Sequence, residues 1–462
     1  MGPGASIEVD DPGPAYARLR AAWDRAGGLS VQLRRDALAR LRDGVRLRAD
    51  AFVESIDTDF GGRARVETLV AEVAAVLRAV DYARPRLARW AANERVGLGL
   101  PFWPARAHIR KEPRGVVAIL GPSNFPLQLT LLPLIGALAA GCRVLVKPSE
   151  LVPATADLMA AMLAETFSAD EVAVLTGGPD LAVAMTRLPL DHLLFTGSTA
   201  NGRRVMAAAS DHLTPLTLEL GGKSPVVVAN DADLDKAARA IMAGKLMNAG
   251  QTCVAPDYVL VPRALRDRFV DAAKAAAHAL YPDPGMMTAV RGERAQRRLA
   301  DLTAGLTSVA VFDGPVMSSR IMPVLVLDPP LDAPIMRQEI FGPLLPVLAY
   351  DRLDDAIAII NDRPRPLALY WFGRDKASLR VLLDRTSSGT VAVNETVLHA
   401  AVDALPFGGI GASGFGAYHG QAGFEAFTHR RPVFVQSRFS ITRLLQPPYG
   451  ARAERIIAGM LK

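Results

Sequence analysis

The chain has 462 residues, half of them apolar, and 53 Lys and Arg against 47 Asp and Glu give a formal charge of +6. That length exceeds one ordinary hydrophobic core, so two or three domains are expected, and the charge is spread along the chain, mostly as Arg, without the basic stripe or recognition motif of a nucleic-acid binder. Two cysteines argue against a disulfide framework, no zinc-ligand spacing occurs, and no stretch approaches the ~20 uninterrupted apolar residues of a membrane helix. The N-terminus has no basic start followed by an apolar run, so a cytoplasmic protein is expected, with no metal and neither nucleic acid nor membrane as partner.

Residues 1–14 are rich in Gly and Pro and read as a disordered start. Arg/Ala/Leu-rich segments then carry apolar residues at helical spacing to about residue 95. From Gly115 the texture changes to short apolar runs alternating with helix-length segments: GVVAIL, LTLLPLIGALAAG, RVLVKP, the segment after Pro153, EVAVLTGG and DHLLFTGS. Such alternation predicts a parallel sheet covered by helices. After Glu219 it restarts with SPVVVA, the helix-like DLDKAARAIMAGKLMNAG and a strand in DYVLVP, a second α/β unit whose first helix is expected to deliver Cys253. From Phe424 onward, HRRPVFVQSRF is a short β-type run among charges that is hard to bury alone.

Two motifs carry chemistry: LTLELGGKSP, containing Glu219, and NAGQTC, ending at Cys253. A lone Cys is by default a small buried hydrophobe, and Cys142, closing LIGALAAGC, is assigned that packing role. Around Cys253, Gly and Thr leave room for a ligand. Both motifs resemble those of the aldehyde dehydrogenase superfamily, nearly unaltered, and the resemblance extends over the chain from about residue 15. It implies a Rossmann-like cofactor domain plus an α/β catalytic domain and a small β oligomerisation arm. The expected boundaries are 15–218 for the cofactor domain, including part of a ribbon near 100–114, then 219–400 for the catalytic domain and 401–462 for the C-terminal return. The ribbon segments ARAHIRKEP and HRRPVFVQSRF imply a homodimer.

The implied reaction is oxidation of an aldehyde to a carboxylic acid. An sp2 aldehyde carbon has no hydride it readily releases, so a nucleophile must first make it tetrahedral, and Cys253 fits. Asn124, in LGPSNFPLQ, is a turn residue by default; by resemblance its amide and the Cys253 N–H form the oxyanion hole. Glu219 would activate water against the thioester, with Gly221 and Gly222 allowing close approach of chain and cofactor. Lys147 and Glu150 in KPSE stand at a strand end, suited to ribose hydroxyls, and the carboxylate favours NAD over NADP, with NADP still possible. Gly197, Ser198 and Gly202 in FTGSTANGR suit a phosphate at a helix N-terminus, although a capped Gly turn reads equally well from the residues alone. By resemblance Glu339 and Phe341 contact the nicotinamide ribose and ring.

VNETVLHAAVDALPFGGIGASGFGAYHG, with Asn394, His399 and Phe407, and PPYG near Tyr449 resemble the class 3 branch. KLMNAGQTCVAPDYVLVP and RPRPLALYWFG resemble bacterial coniferyl aldehyde dehydrogenases, implying oxidation of coniferaldehyde to ferulate. Ser123, Gln128 and Asn201 depart from the usual pattern, and the region from Tyr281 to about Arg320 looks shortened. Medium- or long-chain aliphatic aldehydes, or a non-catalytic cofactor-binding homologue, are the alternatives. His399 reads either as a pocket residue or as a satisfied loop histidine.

Overall fold

Apolar residues recurring every three or four positions fold the N-terminal region into helices in the computed structural model, which describes residues 11–99, 102–312, 320–439 and 446–461. Helix Val31–Leu47 buries Ala37, Leu38, Leu41 and Val45, and Ser30 caps it by accepting from the Leu33 N–H at 3.3 Å. Helix Ala74–Ala91 packs on it, preceded by one widened π turn at Leu69–Val73. The first helix begins at Gly13, because Pro14 presets a helical φ in its first turn. The expected disordered start therefore ends too late, and residues 1–10 lie outside those described.

The alternation after Gly115 builds a six-stranded sheet. In spatial order its strands are Gly414–Phe415, Leu216–Leu220, His192–Gly197, Val116–Leu120, Arg143–Lys147 and Val172–Val174, with all neighbours parallel except the first pair. Val116–Leu120 has the next strand in sequence on one side and a later strand on the other. Connections thus leave it in opposite directions, opening at the strands' C-terminal ends the crevice where α/β sheets bind ligands. The helix that follows, Gln128–Ala140, is buried from Leu129 onward. Its Gly136 admits the helix Gly420–Ala426, since a Cβ there would stand 2.7 Å from the Gly423 carbonyl oxygen.

The pattern that restarts after Glu219 builds a seven-stranded sheet. Its order is Ser308–Ala310, Val324–Leu327, Leu344–Tyr350, Tyr258–Pro262, Pro225–Val228, Ala368–Phe372 and Thr390–Val393, parallel except at the first pair. The expected boundary at 218/219 cuts the strand Leu216–Leu220, which lies wholly in the first sheet: Glu219 is opposite Thr196 on one side and Gly414 on the other. A strand hydrogen-bonded on both edges belongs to one sheet, so the change of unit falls in the Gly221–Gly222 turn. The C-terminal return is shared as well. Gly414–Phe415 completes the first sheet, while Thr428–Val435 runs antiparallel to Arg106–Pro113 along its full length, with Glu94–Val96 on the other edge. Among the described residues no helix is long and apolar enough to cross a membrane.

Candidate active site

Asn124 follows the central strand Val116–Leu120 and is buried. Its Nδ2 donates to the Gln251 carbonyl at 3.1 Å, and its own carbonyl accepts from Nδ2 of Asn248 at 2.9 Å. The loop after the first strand is thereby tied to the segment bearing Cys253, which enters from the other α/β unit. The helix Leu234–Leu246 does not itself reach Cys253. It stops, and Asn248, Ala249 and Gly250 adopt positive φ of 50°, 51° and 74°. At Ala249 such a conformation costs roughly 1–2 kcal/mol, so the surroundings must hold it. Gln251 does so, donating from Nε2 to the Asn248 and Ala289 carbonyls, both at 3.0 Å, and accepting from the Arg291 N–H at 3.1 Å.

Cys253 is a half-buried free thiol, pushed up to about 12 by burial and then by the carboxyls of Glu339 and Glu219. Glu219 is 3% exposed, neither of its oxygens has a partner, and burial raises it well above the ordinary carboxylate range. The buried Tyr418 hydroxyl is raised by burial and further by the charges of Glu219 and Cys253. Cys142, by contrast, is buried with Sγ donating to the Phe427 carbonyl at 3.4 Å, a packing position.

Glu339 joins this group through a braced loop. Lys223 pairs with Asp257 and donates to the carbonyls of Ile335 at 2.7 Å and Gln338 at 2.9 Å, while Oδ2 of Asp257 accepts from the Ile340 N–H at 2.9 Å. Glu339 is thus fixed against the turn after the Glu219 strand. A Cβ on Gly221 would stand 1.9 Å from its Oε2, and the Gly222 N–H supports it, leaving Oε1 unpaired. Gly221 makes room for this carboxyl, which burial and then Asp257 push up to about 8. Phe341 beside it has φ +49°. Lys245, buried on the helix leading to Cys253, is lowered to about 8 by burial, with Asp257 and Glu339 acting in the opposite direction.

The other anticipated positions lie at neighbouring strand ends. Lys147 ends the strand Arg143–Lys147, buried, with Nζ 2.8 Å from Oε2 of the exposed Glu150. Ser198 caps the helix Thr199–Ala209, its Oγ accepting from the Asn201 N–H at 3.3 Å. Gly202 lets that helix sit on the Glu219 strand, because a Cβ there would be 2.7 Å from Leu220 Cδ2. Gly197 clears the Phe195 ring in the same way. Asn124, Lys147 and the start of this helix therefore share one end of the sheet.

Asn394 exchanges hydrogen bonds of 2.9 and 3.1 Å with the Gly373 backbone, and Nε2 of His399 bonds Thr390 Oγ1 at 2.9 Å while its Nδ1 is buried without a partner. Phe407 stacks on His419 with ring centroids 5.3 Å apart. Sequence reasoning missed Tyr418 and Tyr370. Tyr370 donates to the Val254 carbonyl at 2.5 Å and accepts from the Val397 N–H at 3.3 Å, and its only sequence signal was a place in an apolar run. Among the described residues no three potential metal ligands cluster.

Comparison with known proteins shows the family. The Aldehyde dehydrogenase family matches residues 7–433. A probable coniferyl aldehyde dehydrogenase of Pseudomonas aeruginosa is 44% identical over 97% of this chain and 96% of its own. A Rattus norvegicus protein described as "Aldehyde dehydrogenase, dimeric NADP-preferring" is 38% identical over 91% of this chain and 93% of its own. The substrate-bound structure of Staphylococcus aureus AldH superposes with a TM-score of 0.93 at 35% identity, covering 97% of this chain and 99% of that one. The chain belongs to the aldehyde dehydrogenase family, whose members oxidise aldehydes with NAD(P).

Proposed function

We propose that the chain oxidises coniferaldehyde, or a related aromatic propenal, to its acid through a covalent adduct on Cys253. The observation that carries this reading is the buried, unpartnered carboxyl of Glu219 beside the Cys253 thiol; the coniferyl relative at 44% identity supports the substrate. The Cys253 thiol gives up its proton to solvent as its sulfur attacks the aldehyde carbon, and the Cys253 N–H with the Asn124 amide stabilises the oxyanion of the thiohemiacetal. A nicotinamide held at this crevice would supply the hydride acceptor for that carbon. Glu219 then takes a proton from water as the water cleaves the Cys253 thioester. Burial raises the Glu219 carboxyl well above the ordinary carboxylate range and only its ionised form takes the proton, so turnover is expected to rise with pH as that form grows.

The residues fit a dinucleotide at the crevice of the six-stranded sheet. Lys147 and Glu150 would hold the adenosine ribose, the Gly197–Ser198–Gly202 turn its phosphates, and Glu339 and Phe341 the nicotinamide ribose and ring. Supporting this, Oε1 of Glu339 is buried without a partner, and Glu150 offers a carboxylate that repels a 2′-phosphate, so NAD is the preferred form. The units correspond to a cofactor domain, a catalytic domain and an oligomerisation ribbon. The half-exposed Phe434 and Val435 on the ribbon and the dimeric rat relative support a homodimer. Two free thiols suit the reducing cytoplasm.

Initial rates of NADH and NADPH formation with coniferaldehyde and a medium-chain alkanal test the reading. Preference for coniferaldehyde with NAD is expected. Preference for the alkanal discards the substrate and keeps the mechanism, and binding of NAD without turnover on any aldehyde discards both.

A further inference from the structure

Outside the site described above, Arg63, Glu67 and Glu72 form a buried ionic group contributed by the N-terminal helical region. The Arg63 guanidinium lies between two rings, its carbon 5.1 Å from the centroid of Phe60 and 4.7 Å from that of Phe125. Nη1 donates to Glu72 Oε1 at 3.1 Å and to the Asn124 carbonyl at 3.4 Å, and Nε stands 3.3 Å from Glu67 Oε1. Both carboxylates reach onward. Glu72 Oε2 accepts from the Gln128 N–H at 2.8 Å, and Glu67 Oε1 accepts from the Asn248 N–H at 2.9 Å. One group of three side chains thus holds the Asn124 loop at two points, and holds the turn leading to Cys253 at the first of its left-handed residues.

As a device for stability this arrangement is poor. Two carboxylates face one guanidinium, the side chains of Arg63 and Glu72 are wholly out of water, and burial drives both glutamates upward. Desolvation in such a group tends to outweigh the Coulombic gain. What it provides is a fixed separation between two loops that come from different sheets, each bearing one half of the reacting geometry.

We propose that Arg63 is a positioning residue for aldehyde oxidation, setting Asn124 against Cys253 through Glu72 and Glu67 without touching substrate or cofactor. The proposal rests on the roles given above to Asn124 and Cys253. It differs from a general structural role in one respect: Arg63 acts through Asn124, so its loss and the loss of the Asn124 amide remove the same contribution.

The test is a double-variant cycle read in kcat, with KM for aldehyde and NAD measured alongside. Asn124→Ala is expected to lower kcat about 100-fold, the usual loss for one oxyanion donor. Arg63→Met is expected to lower it at least about tenfold with each KM within about twofold, since misplacement of the reacting groups affects the transition state first. Arg63→Lys, which keeps the charge without the fork, recovers part of that loss. In the Asn124→Ala background, Arg63→Met adds less than about threefold. If the two losses multiply, the positioning role is refuted while the oxyanion assignment stands. If Asn124→Ala alone leaves turnover intact, the oxyanion assignment itself falls and takes the proposal with it. Should Arg63→Met fail to fold, the near-isosteric Glu67→Gln takes its place in the cycle, with the same non-additivity expected and the same multiplication refuting it.

Discussion

Replacing Glu219 by Gln separates activity from stability. Both carboxylate oxygens are buried and hold no partner, so the carboxamide breaks no hydrogen bond and fills nearly the same volume. Below the ordinary carboxylate range, where the carboxyl is protonated folded and unfolded alike, the change in stability is then about 1 kcal/mol or less. A chain of this size has an unfolding entropy near 1 kcal/mol/K at its midpoint, so the apparent Tm moves by about 1 °C. The kinetic effect is far larger, because loss of a general base lowers turnover by about 10²- to 10⁴-fold. If the base serves thioester hydrolysis, rapid mixing still shows the first equivalent of NADH while steady-state turnover collapses. The sign of the pH effect follows from the raised carboxyl: the folded state binds the proton more tightly than the unfolded chain, so wild type loses more stability than the Gln variant as pH rises above the ordinary carboxylate range. A variant without the burst, at unchanged cofactor affinity, would place Glu219 before hydride transfer, and a drop of several degrees in Tm would refute the picture of an unbonded carboxyl.

Cys253→Ala should abolish dehydrogenase turnover and Cys142→Ala should leave most of it; equal losses would undo the assignment of the nucleophile. Tyr370→Phe leaves the Val254 carbonyl and the Val397 N–H unpaired, and at ~1–3 kcal/mol for a buried unsatisfied group the apparent Tm should fall by about 1–3 °C. An unchanged melting curve would mean that the turn at Val397, φ +60°, does not depend on that hydroxyl. For Glu339, raised to about 8 chiefly by burial and next by Asp257, the stabilising contribution is fully present below the ordinary carboxylate range and is lost as pH rises through about 8. Melting of wild type should therefore decline more steeply than that of Glu339→Gln between about pH 5 and 9, and parallel profiles would contradict this.

The sheets were legible because each strand is a short apolar run with a helix-length segment beside it, and the parallel pairing of Val116–Leu120 follows from that alternation. Sequence texture could not show that Glu219 lies inside the first sheet. Its outer neighbour, Gly414–Phe415, is two residues long and far away in the chain, too short to register as a strand. Gly221 and Gly222 read as glycines giving way to a ligand, whereas the group against Gly221 is Glu339, a contact that only tertiary packing reveals. The Arg63 group was invisible for another reason. In a chain whose basic residues are overwhelmingly Arg, one buried guanidinium looks like any exposed one, and two glutamates five residues apart in a helical stretch look like solvated surface.

The antiparallel closure of the Glu219 strand by Gly414–Phe415 bears on the order in which a working enzyme can emerge from the ribosome. The first sheet is nearly complete once residue 220 has been made, but its outer edge remains unpaired for about two hundred further residues, some ten seconds or more at ordinary synthesis rates. Throughout that interval Leu216–Leu220 presents open N–H and C=O groups, the usual template for wrong pairing. A chain that loses its last fifty residues keeps both catalytic motifs in its sequence, yet it lacks the segment that seals the edge beside the base. Truncation from the C-terminus should thus read out first as aggregation, before any question of chemistry arises.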